Sequence, residues 1–309
     1  MLLSVVLSFR NEAPVIPELI KRLQNSIRPL NIDYELIFVN DASADNSLEV
    51  LKEQSNADKN IKILNMSRNF GNGPCVLAGI QHAKGDAVVY MDADLQDPPE
   101  LIPKMFEEFQ KGTDVVYTTR LSRRGESAFK IWLTKKAYRF LRRVGNINLP
   151  LDSGDFKLLS RNVVDELSKL REKDPFVRGL VTWVGFKQVP VFYNREERFA
   201  GKTHYPLIGT GPLKMFLAGL TSFSSFPLKM ALVIGFVISI LSFLYLIANL
   251  VMFFLGMNIP GWTAIMATLL ILGGTQLITV GFVGLYLGRV YDEVKNRPNY
   301  IVESKIGFE

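Results

Sequence analysis

Cysteine and histidine are scarce in this sequence, and their scarcity excludes several kinds of site. The 309 residues include one cysteine, Cys75, and two histidines, His82 and His204. A single cysteine cannot form an internal disulfide, which is typical of a reducing compartment. The two histidines lie far apart in the chain, without the spacing of metal ligands, so we expect no zinc site.

Two common nucleotide-binding motifs are also missing. No Gly-x-Gly-x-x-Gly follows the first predicted strand, and no P-loop sequence occurs. A dinucleotide-binding domain and a P-loop NTPase are therefore disfavoured. Residues 1–9 are too short for a signal peptide and lack its basic leader, so we interpret them as a strand.

Charge is missing from two long stretches near the C-terminus. Residues 230–255 and 263–286 contain no charged side chain, and each run exceeds the ~20 residues that cross a bilayer core. We therefore predict two transmembrane helices, at about 230–255 and 263–288. The loop between them has no lysine or arginine, so by the positive-inside rule it faces outward and both termini are cytoplasmic. Neither run holds an ionisable residue, which argues against a channel or transporter.

The rest of the chain alternates short apolar runs with amphipathic ones. This alternation predicts an α/β domain with a mostly parallel sheet covered on both faces, in which ligands collect beyond the carboxyl ends of the strands. The predicted elements are strand 2–9, helix 14–27, strand 34–40, helix 45–55, strand 61–66, helix 73–84, strand 86–91, helix 98–111 and strand 114–119.

Polar side chains follow three of the predicted strands. They are Arg10, Asn11 and Glu12 after the first strand, Asn40 and Asp41 after the second, and Asp92 and Asp94 after the fourth. Two carboxylates that leave a buried strand together repel each other, and a divalent cation would neutralise them. With the amide oxygen of Gln96, Asp92 and Asp94 fit Mg²⁺ or Mn²⁺ holding a diphosphate. For the Asp-x-Asp motif alone, two solvated loop acids are the competing interpretation.

Two later segments extend this candidate site. Arg195, Arg198 and Lys202 form a basic loop, interrupted by glycine, that would close over a diphosphate. Asp155 lies in a predicted acidic turn, where it would act as a general base or orient an acceptor. If the ligand is a nucleotide-diphosphate sugar, Asp41 would accept a hydrogen bond from the nucleobase.

A basic segment follows the last predicted strand. Its cations, opposed only by Glu126, are Arg120, Arg123, Arg124, Lys130, Lys135, Lys136, Arg139, Arg142 and Arg143. Apolar residues recur among them at near-helical spacing, so we predict a basic amphipathic helix at about 126–144 on a membrane surface. A solvated helix packed on its own domain is the alternative. With two membrane spans present, the net charge of +6 favours lipid head groups or phosphates over nucleic acid as partners.

These predictions divide the chain into four parts. Residues 1–208 form the α/β domain, and 209–228 form an amphipathic helix in the membrane interface. Residues 229–290 contain the two spans, and 291–309 form a cytoplasmic tail. Within that tail, residues 297–302 are predicted as a short strand that would pair with a neighbouring subunit.

Six motifs are distributed over nearly the whole chain. They are Asn40-Asp41, Ser67-Arg68-Asn69-Phe70-Gly71, Asp92-Ala93-Asp94-Leu95-Gln96-Asp97-Pro98-Pro99, Gly154-Asp155-Phe156, Phe176-Val177-Arg178-Gly179-Leu180 and Ser222-Phe223-Ser224-Ser225-Phe226-Pro227-Leu228. Together they resemble the polyisoprenyl-phosphate glycosyltransferases, inverting family-two enzymes of the glycosyltransferase A-type (GT-A) fold. The combination is similar to dolichol-phosphate mannose synthase and to the bactoprenol glucosyltransferases of the GtrB kind.

The resemblance implies sugar transfer from a nucleotide donor, with UDP-glucose as first choice, to undecaprenyl phosphate at the cytoplasmic face of a bacterial inner membrane. It implies Mg²⁺ or Mn²⁺ as cofactor and a homotetramer that exchanges a C-terminal strand. The roles it implies are metal binding for Asp94 and Gln96, donor contact for Asp92, nucleobase contact for Asp41, acceptor-phosphate binding for Arg120, catalysis for Asp155, and diphosphate closure for Arg195, Arg198 and Lys202. From the basic segment itself we predict that Arg123, Arg124 and Lys135 also contact the acceptor phosphate. The sequence departs from the family at Thr203-His204, where a lysine is usual, and at Lys157, where arginine is commoner.

Three alternatives remain beside this interpretation. The same reaction would run with GDP-mannose or a UDP-amino sugar as donor. A processive polysaccharide synthase is disfavoured because the sequence has neither a Gln-x-x-Arg-Trp motif nor further spans. A degenerate membrane scaffold is disfavoured because Asp41, Asp92, Asp94, Gln96 and Asp155 are all intact.

The basic segment generates a first testable prediction. Replacing Arg123, Arg124 and Lys135 by alanine should raise the KM for the lipid phosphate by roughly tenfold, because charge-assisted contacts to phosphate are lost. Initial rates measured against lipid phosphate and against nucleotide sugar would separate the two substrates. An effect confined to the nucleotide sugar would remove these residues from the acceptor site.

Overall fold

The structure is a computed structural model that describes residues 1–123, 136–137, 139–140, 143–144, 150, 153–173, 175–195, 220, 224–257 and 261–308. For residues 122, 123, 195, 253, 262 and 263 it describes the backbone alone. The chain forms two compact units. One comprises Met1–Gly219 together with Pro298–Glu309, and the other comprises Leu220–Arg297.

One sheet of eight strands forms the centre of the first unit, with the strand order β7-β5-β6-β4-β1-β2-β3-β8. The strands are β1 (Leu2–Phe9), β2 (Asp33–Asn40), β3 (Ile61–Met66), β4 (Ala87–Asp92), β5 (Val115–Arg123), β6 (Ser153–Ser160), β7 (Gln188–Arg195) and β8 (Val302–Ile306). β3, β2, β1 and β4 are parallel, and so are β5 and β7. β6 runs antiparallel between β4 and β5, and β8 runs antiparallel to β3. The predicted mostly parallel α/β sheet is confirmed.

Helices cover this sheet. They are α1 (Ile16–Ile27), α2 (Ser47–Ala57), α3 (Asn72–His82), α4 (Ile102–Gln110), α5 (Arg161–Lys169) and α6 (Val177–Trp183), with 3-10 turns at Arg28–Leu30 and Pro99–Leu101. In α1 the apolar residues recur every three or four positions, and this stripe is buried against the core. Ser160 ends β6 and caps α5, because its Oγ accepts the N–H of Val163 at 3.5 Å.

For the nine elements predicted over residues 2–119, the bounds agree with the structure to within two residues, apart from one helix and one strand. The predicted helix 98–111 begins only at Ile102, because the paired prolines before it lead into a 3-10 turn. The predicted strand 114–119 continues to Arg123, because β5 goes on pairing with β7 beyond an irregularity after Arg120.

Two sequence predictions in the first unit are wrong. The predicted acidic turn around Asp155 is the beginning of β6, a strand that pairs with β4 from Lys157 onward and with β5 at Ser153 and from Lys157 onward. The terminal strand lies at Val302–Ile306 instead of 297–302, and it pairs with β3 of the same chain. The C-terminal residues therefore belong to the α/β unit rather than to a separate tail.

The second unit contains two long apolar helices, α7 (Phe226–Phe254) and α8 (Trp262–Val294). Phe226–Met252 has a mean hydropathy of 2.6 and Ala264–Val294 one of 1.8, and their most apolar windows are 6% and 0% buried. By length and composition both helices can cross a membrane. They begin earlier and α8 ends later than the predicted spans.

Two further predicted helices fall mostly outside the described residues. Six residues of the predicted basic helix are described, and they are helical: 136, 137, 139, 140, 143 and 144. Lys136, Arg139 and Arg143 are exposed there. Of the predicted interface helix 209–228, only residues 220 and 224–228 are described.

The packing of α3 on the sheet gives a stability prediction. A Cβ at Gly79 would lie 2.2 Å from Val6 Cγ1, so α3 approaches β1 more closely than a larger residue allows. We expect Gly79→Ala to lower the free energy of unfolding by about 1–3 kcal/mol, measured by denaturant unfolding of the full chain in detergent. Gly235→Ala in α7 is the control, since its Cβ would meet nothing within 4 Å. Equal stability of both variants would contradict the close approach.

Candidate active site

Three turns at one edge of the sheet adopt a backbone conformation that is uncommon outside glycine. Asn11 (φ 56°), Ala42 (φ 50°) and Leu95 (φ 57°) are left-handed, and they follow β1, β2 and β4. Such residues cost free energy and cluster at functional sites. The edge with these turns is the one that the sequence predicted to bind ligand.

The turns after β1 and β2 are joined by hydrogen bonds. The Asn11 N–H donates to Ser43 Oγ at 2.9 Å, and the Ala44 N–H donates to Asn11 Oδ1 at 2.8 Å. Asn11 therefore shapes the site through its own backbone and side chain. Next to it, Glu12 is buried and Arg10 is exposed.

Asp41 holds the loop before α3. Its carboxylate accepts hydrogen bonds from Asn69 Nδ2 at 2.7 Å, from the Phe70 N–H at 2.7 Å and from the Gly71 N–H at 3.0 Å. The left-handed conformation of Gly71 (φ 94°) allows this turn. The buried Cys75 thiol also lies within hydrogen-bonding reach of this carboxylate. The nucleobase role of Asp41 stays a prediction, and the structure adds a loop-holding role that the sequence did not reveal.

Four aspartates meet at the ends of β4 and β6. Burial, together with the negative charges of Asp155, Asp94 and Asp97, raises the pKa of Asp92 to about 8. Asn72 Nδ2 donates to Asp92 Oδ1 at 3.3 Å. A bound cation would reduce the electrostatic repulsion among these carboxylates.

The oxygen ligands of this cluster fit a hard divalent cation only in part. Among the described residues, no three Asp, Glu, His or Cys side chains form a group that could hold a metal ion. Mg²⁺ is usually bound by one or two carboxylates together with substrate phosphates. Asp92 and Asp94, with the half-buried Gln96, therefore fit Mg²⁺ or Mn²⁺ whose coordination a diphosphate completes.

Asp155 forms a two-pronged ion pair with Arg178 of α6. Arg178 Nε donates to Asp155 Oδ1 at 2.6 Å, and Arg178 Nη2 donates to Oδ2. Burial alone would raise the pKa of Asp155, but Arg178, and beyond it Lys157, hold that pKa below its ordinary value. An ionised carboxylate in this pair is a weak base. The geometry therefore favours an orienting role for Asp155 over a general-base role.

Arg120 lies in a second buried cluster. Its Nε donates to Tyr193 Oη at 3.0 Å and its Nη2 lies 3.5 Å from Asp97 Oδ2, while Tyr193 Oη donates to Asp97 Oδ1. A Cβ at Gly154 would lie 2.6 Å from Arg120 Nη2, so a larger residue there would force this guanidinium to shift. Arg120 is thus a counter-ion of Asp97, and its predicted binding of the acceptor phosphate stays a prediction.

The sequence predictions missed several members of these clusters. Asp97 was visible as a third acid directly after the Asp-x-Asp-x-Gln motif. Arg178 was visible within a family motif but had no assigned role. No local pattern indicated Tyr193, because a single tyrosine on a strand belongs to no motif with a characteristic spacing.

Six of the predicted site residues are described in part or not at all. Arg124, Lys135, Arg198 and Lys202 lie outside the described residues. For Arg123 and Arg195 the backbone is described, and the β5/β7 ladder pairs these two residues directly. The backbones of a predicted acceptor-site arginine and a predicted donor-loop arginine are therefore neighbours.

Comparison with known families decides the class of this site. A family model described as "Glycosyl transferase family 2" matches residues 4–168. The chain belongs to glycosyltransferase family 2. The match covers β1 to β6 and therefore includes all four clustered aspartates of this family 2 glycosyltransferase.

Relatives extend this similarity to nearly the whole chain. The uncharacterized glycosyltransferase YkcC of Bacillus subtilis is 46% identical over 99% of this chain and 94% of its own length. The bactoprenol glucosyl transferase of Shigella phage SfII is 36% identical over 98% of both chains. Among solved structures, mannosyl-3-phosphoglycerate synthase from Rubrobacter xylanophilus is similar with a TM-score of 0.49 and 17% identity over 71% of each chain.

The cluster around Arg120 gives a prediction for this family 2 glycosyltransferase. Tyr193→Phe removes the hydroxyl that bonds both Asp97 and Arg120, so the free energy of unfolding should fall by about 1–3 kcal/mol in denaturant titrations. Tyr34→Phe, at a half-buried position at the start of β2, should change it by less than about 0.5 kcal/mol. Equal losses for the two variants would contradict the assigned role of Tyr193.

Proposed function

We propose that this glycosyltransferase transfers glucose from UDP-glucose to undecaprenyl phosphate, with inversion at the sugar, at the cytoplasmic face of a bacterial inner membrane. The product would be a lipid-linked monosaccharide for modification of cell-surface glycans. One observation carries the proposal. The similarity to the bactoprenol glucosyl transferase of Shigella phage SfII covers 98% of this chain, so it includes both apolar helices as well as the aspartate cluster.

The donor would bind at the edge formed by the turns after β1, β2 and β4. Asp41 would accept from the nucleobase, and Asp92, Asp94 and Gln96 would hold Mg²⁺ or Mn²⁺ against the diphosphate. A cation held there stabilises the negative charge that develops on the leaving diphosphate. Arg195, Arg198 and Lys202 would close over the diphosphate and exclude water.

The acceptor phosphate would itself be the nucleophile. One of its oxygens forms the bond to the anomeric carbon, while the bond from that carbon to the donor diphosphate breaks and the nucleoside diphosphate leaves with the electron pair. A phosphate monoester is already anionic near neutral pH, so this step needs no strong base. The ion pair between Asp155 and Arg178 is consistent with a step that needs no strong base. A carboxylate that stays ionised in this pair would orient substrate without accepting a proton. Arg120, Arg123, Arg124 and Lys135 would position the acceptor phosphate.

The proposal includes the arrangement in the membrane. α7 and α8 would both cross the bilayer, with the loop between them outside and both termini in the cytoplasm, as the distribution of lysine and arginine indicates. The homotetramer implied by the family resemblance is part of the same proposal. Mass measurement of the detergent-solubilised protein would test it.

The reaction is tested by transfer of radiolabel into organic-extractable lipid. Purified full-length protein is incubated with undecaprenyl phosphate, Mg²⁺ or Mn²⁺, and labelled UDP-glucose, GDP-mannose or UDP-N-acetylglucosamine in turn. We expect label to enter the lipid from UDP-glucose and to be lost with EDTA. Label from another donor would correct the sugar, and no label from any donor would overturn the proposal.

Asp94 provides the matching variant. Asp94→Asn should lower turnover by about a hundredfold or more in the same assay, because the amide weakens the hold on the cation that stabilises the leaving group. The melting temperature should show that the variant is folded. Asp33→Asn, at an exposed position at the start of β2, is the control and should keep full turnover. Undiminished turnover of Asp94→Asn would remove Asp94 from the site.

A further inference from the structure

Hydrogen bonds connect the last strand, β8, to the turn after β2. Asn65 Nδ2 on β3 donates to Glu303 Oε2 at 2.8 Å, and Asn40 Nδ2 donates to Asn65 Oδ1 at 2.8 Å. The Ser43 N–H donates to Asn40 Oδ1 at 3.0 Å, and Ser43 Oγ accepts the N–H of Asn11 at 2.9 Å. Asn40 is 1% and Asn65 9% exposed, so the two amides have little access to water.

The carboxylate of Glu303 determines the direction of these hydrogen bonds. An ionised carboxylate only accepts, so Asn65 must turn its NH₂ group to Glu303 and its carbonyl to Asn40. Asn40 must then direct its NH₂ group to Asn65 and its carbonyl to the N–H of Ser43. With either amide reversed, two donors or two acceptors would face each other in a buried place, which is costly.

A β-bulge gives Glu303 its position. In the β3/β8 ladder Asn65 is opposite Ser304 and Met66 is opposite Val302, so Glu303 is the extra residue between them. Bulges re-aim side chains and are common beside active sites. Ser67 N–H donates to the Ile301 carbonyl at 3.0 Å, which holds the chain directly before the bulge.

We propose that Glu303 is a positioning residue for the nucleoside end of the donor. Through Asn65 it fixes Asn40, and through Asn40 it fixes the turn that contains Asp41 and Ser43. β8 would thus be part of the donor site, although in sequence it follows both apolar helices. This inference rests on the proposed function, because that function places the nucleobase at Asp41.

The test is nucleotide binding by full-length protein in detergent. Calorimetric titration with UDP, GDP and dTDP, each with Mn²⁺, identifies the diphosphate that the unaltered protein binds best, and that diphosphate is used for the variants. Glu303→Lys places a donor where an acceptor is required, so we expect roughly tenfold weaker binding. Glu303→Gln keeps a carbonyl that can accept and should remain within about twofold.

Ser304→Lys is the matched control, because it adds the same charge one residue further along the same strand. We expect its affinity to equal that of the unaltered protein. In the transfer assay, Glu303→Lys should raise the KM for the nucleotide sugar and leave kcat and the KM for undecaprenyl phosphate unchanged. A merely structural role would not produce this selective change.

Three results would overturn the inference. Unchanged affinity of folded Glu303→Lys would do so, and so would an equal loss of affinity in Ser304→Lys. If Glu303→Lys does not fold, Glu303→Ala replaces it, because this variant removes the carboxylate without adding charge. Unchanged affinity of Glu303→Ala for the nucleoside diphosphate would then overturn the inference. If the unaltered protein binds none of the three diphosphates, the proposed function fails as well, so the two failures are distinguishable.

Discussion

The repulsion among four aspartates at one sheet edge is the constraint on which the arrangement of this site depends. Burial, and after it the negative charges of Asp155, Asp94 and Asp97, raise the pKa of Asp92. Arg178 pairs with Asp155, and Arg120 lies beside Asp97, which also accepts a hydrogen bond from Tyr193 Oη. The Asp-x-Asp motif next to these pairs is where a cation and a diphosphate are expected to bind.

The four aspartates fall into two pairs with different expected roles. Asp97 and Asp155 interact with arginines on other elements, so they connect those elements at the site. Asp92 and Asp94 are the carboxylates that we propose as ligands of the cation. An oxygen-only site of two carboxylates and one amide binds a cation weakly by itself and more strongly with a diphosphate. Metal and donor would then bind together, which couples cation occupancy to substrate.

Local sequence patterns predicted the strands and helices well, because the spacing of apolar residues along a short stretch reflects which of its side chains are buried. They also located the ligand edge, since the polar residues after β1, β2 and β4 follow directly from strand ends. What they could not predict are pairings between distant segments. Arg178 meets Asp155 across 23 positions, and Tyr193 meets Asp97 across 96. The strand character of β6 was hidden for the same reason, because Gly154 and Asp155 favour a turn locally, whereas β6 as a whole pairs with strands that are distant in the sequence.

The place of β8 in the sheet has a consequence for how the protein is made. β8 pairs with β3, yet the ribosome synthesises it only after α7 and α8. Until residue 306 has been added, the outer edge of β3 has unpaired backbone groups, and an open edge of this kind invites wrong pairing. Both apolar helices therefore emerge from the ribosome, ready for insertion, before the sheet can be completed. Soluble fragments that end before α7 would lack this strand, so the complete α/β unit can be obtained only together with its apolar helices or by supplying β8 separately.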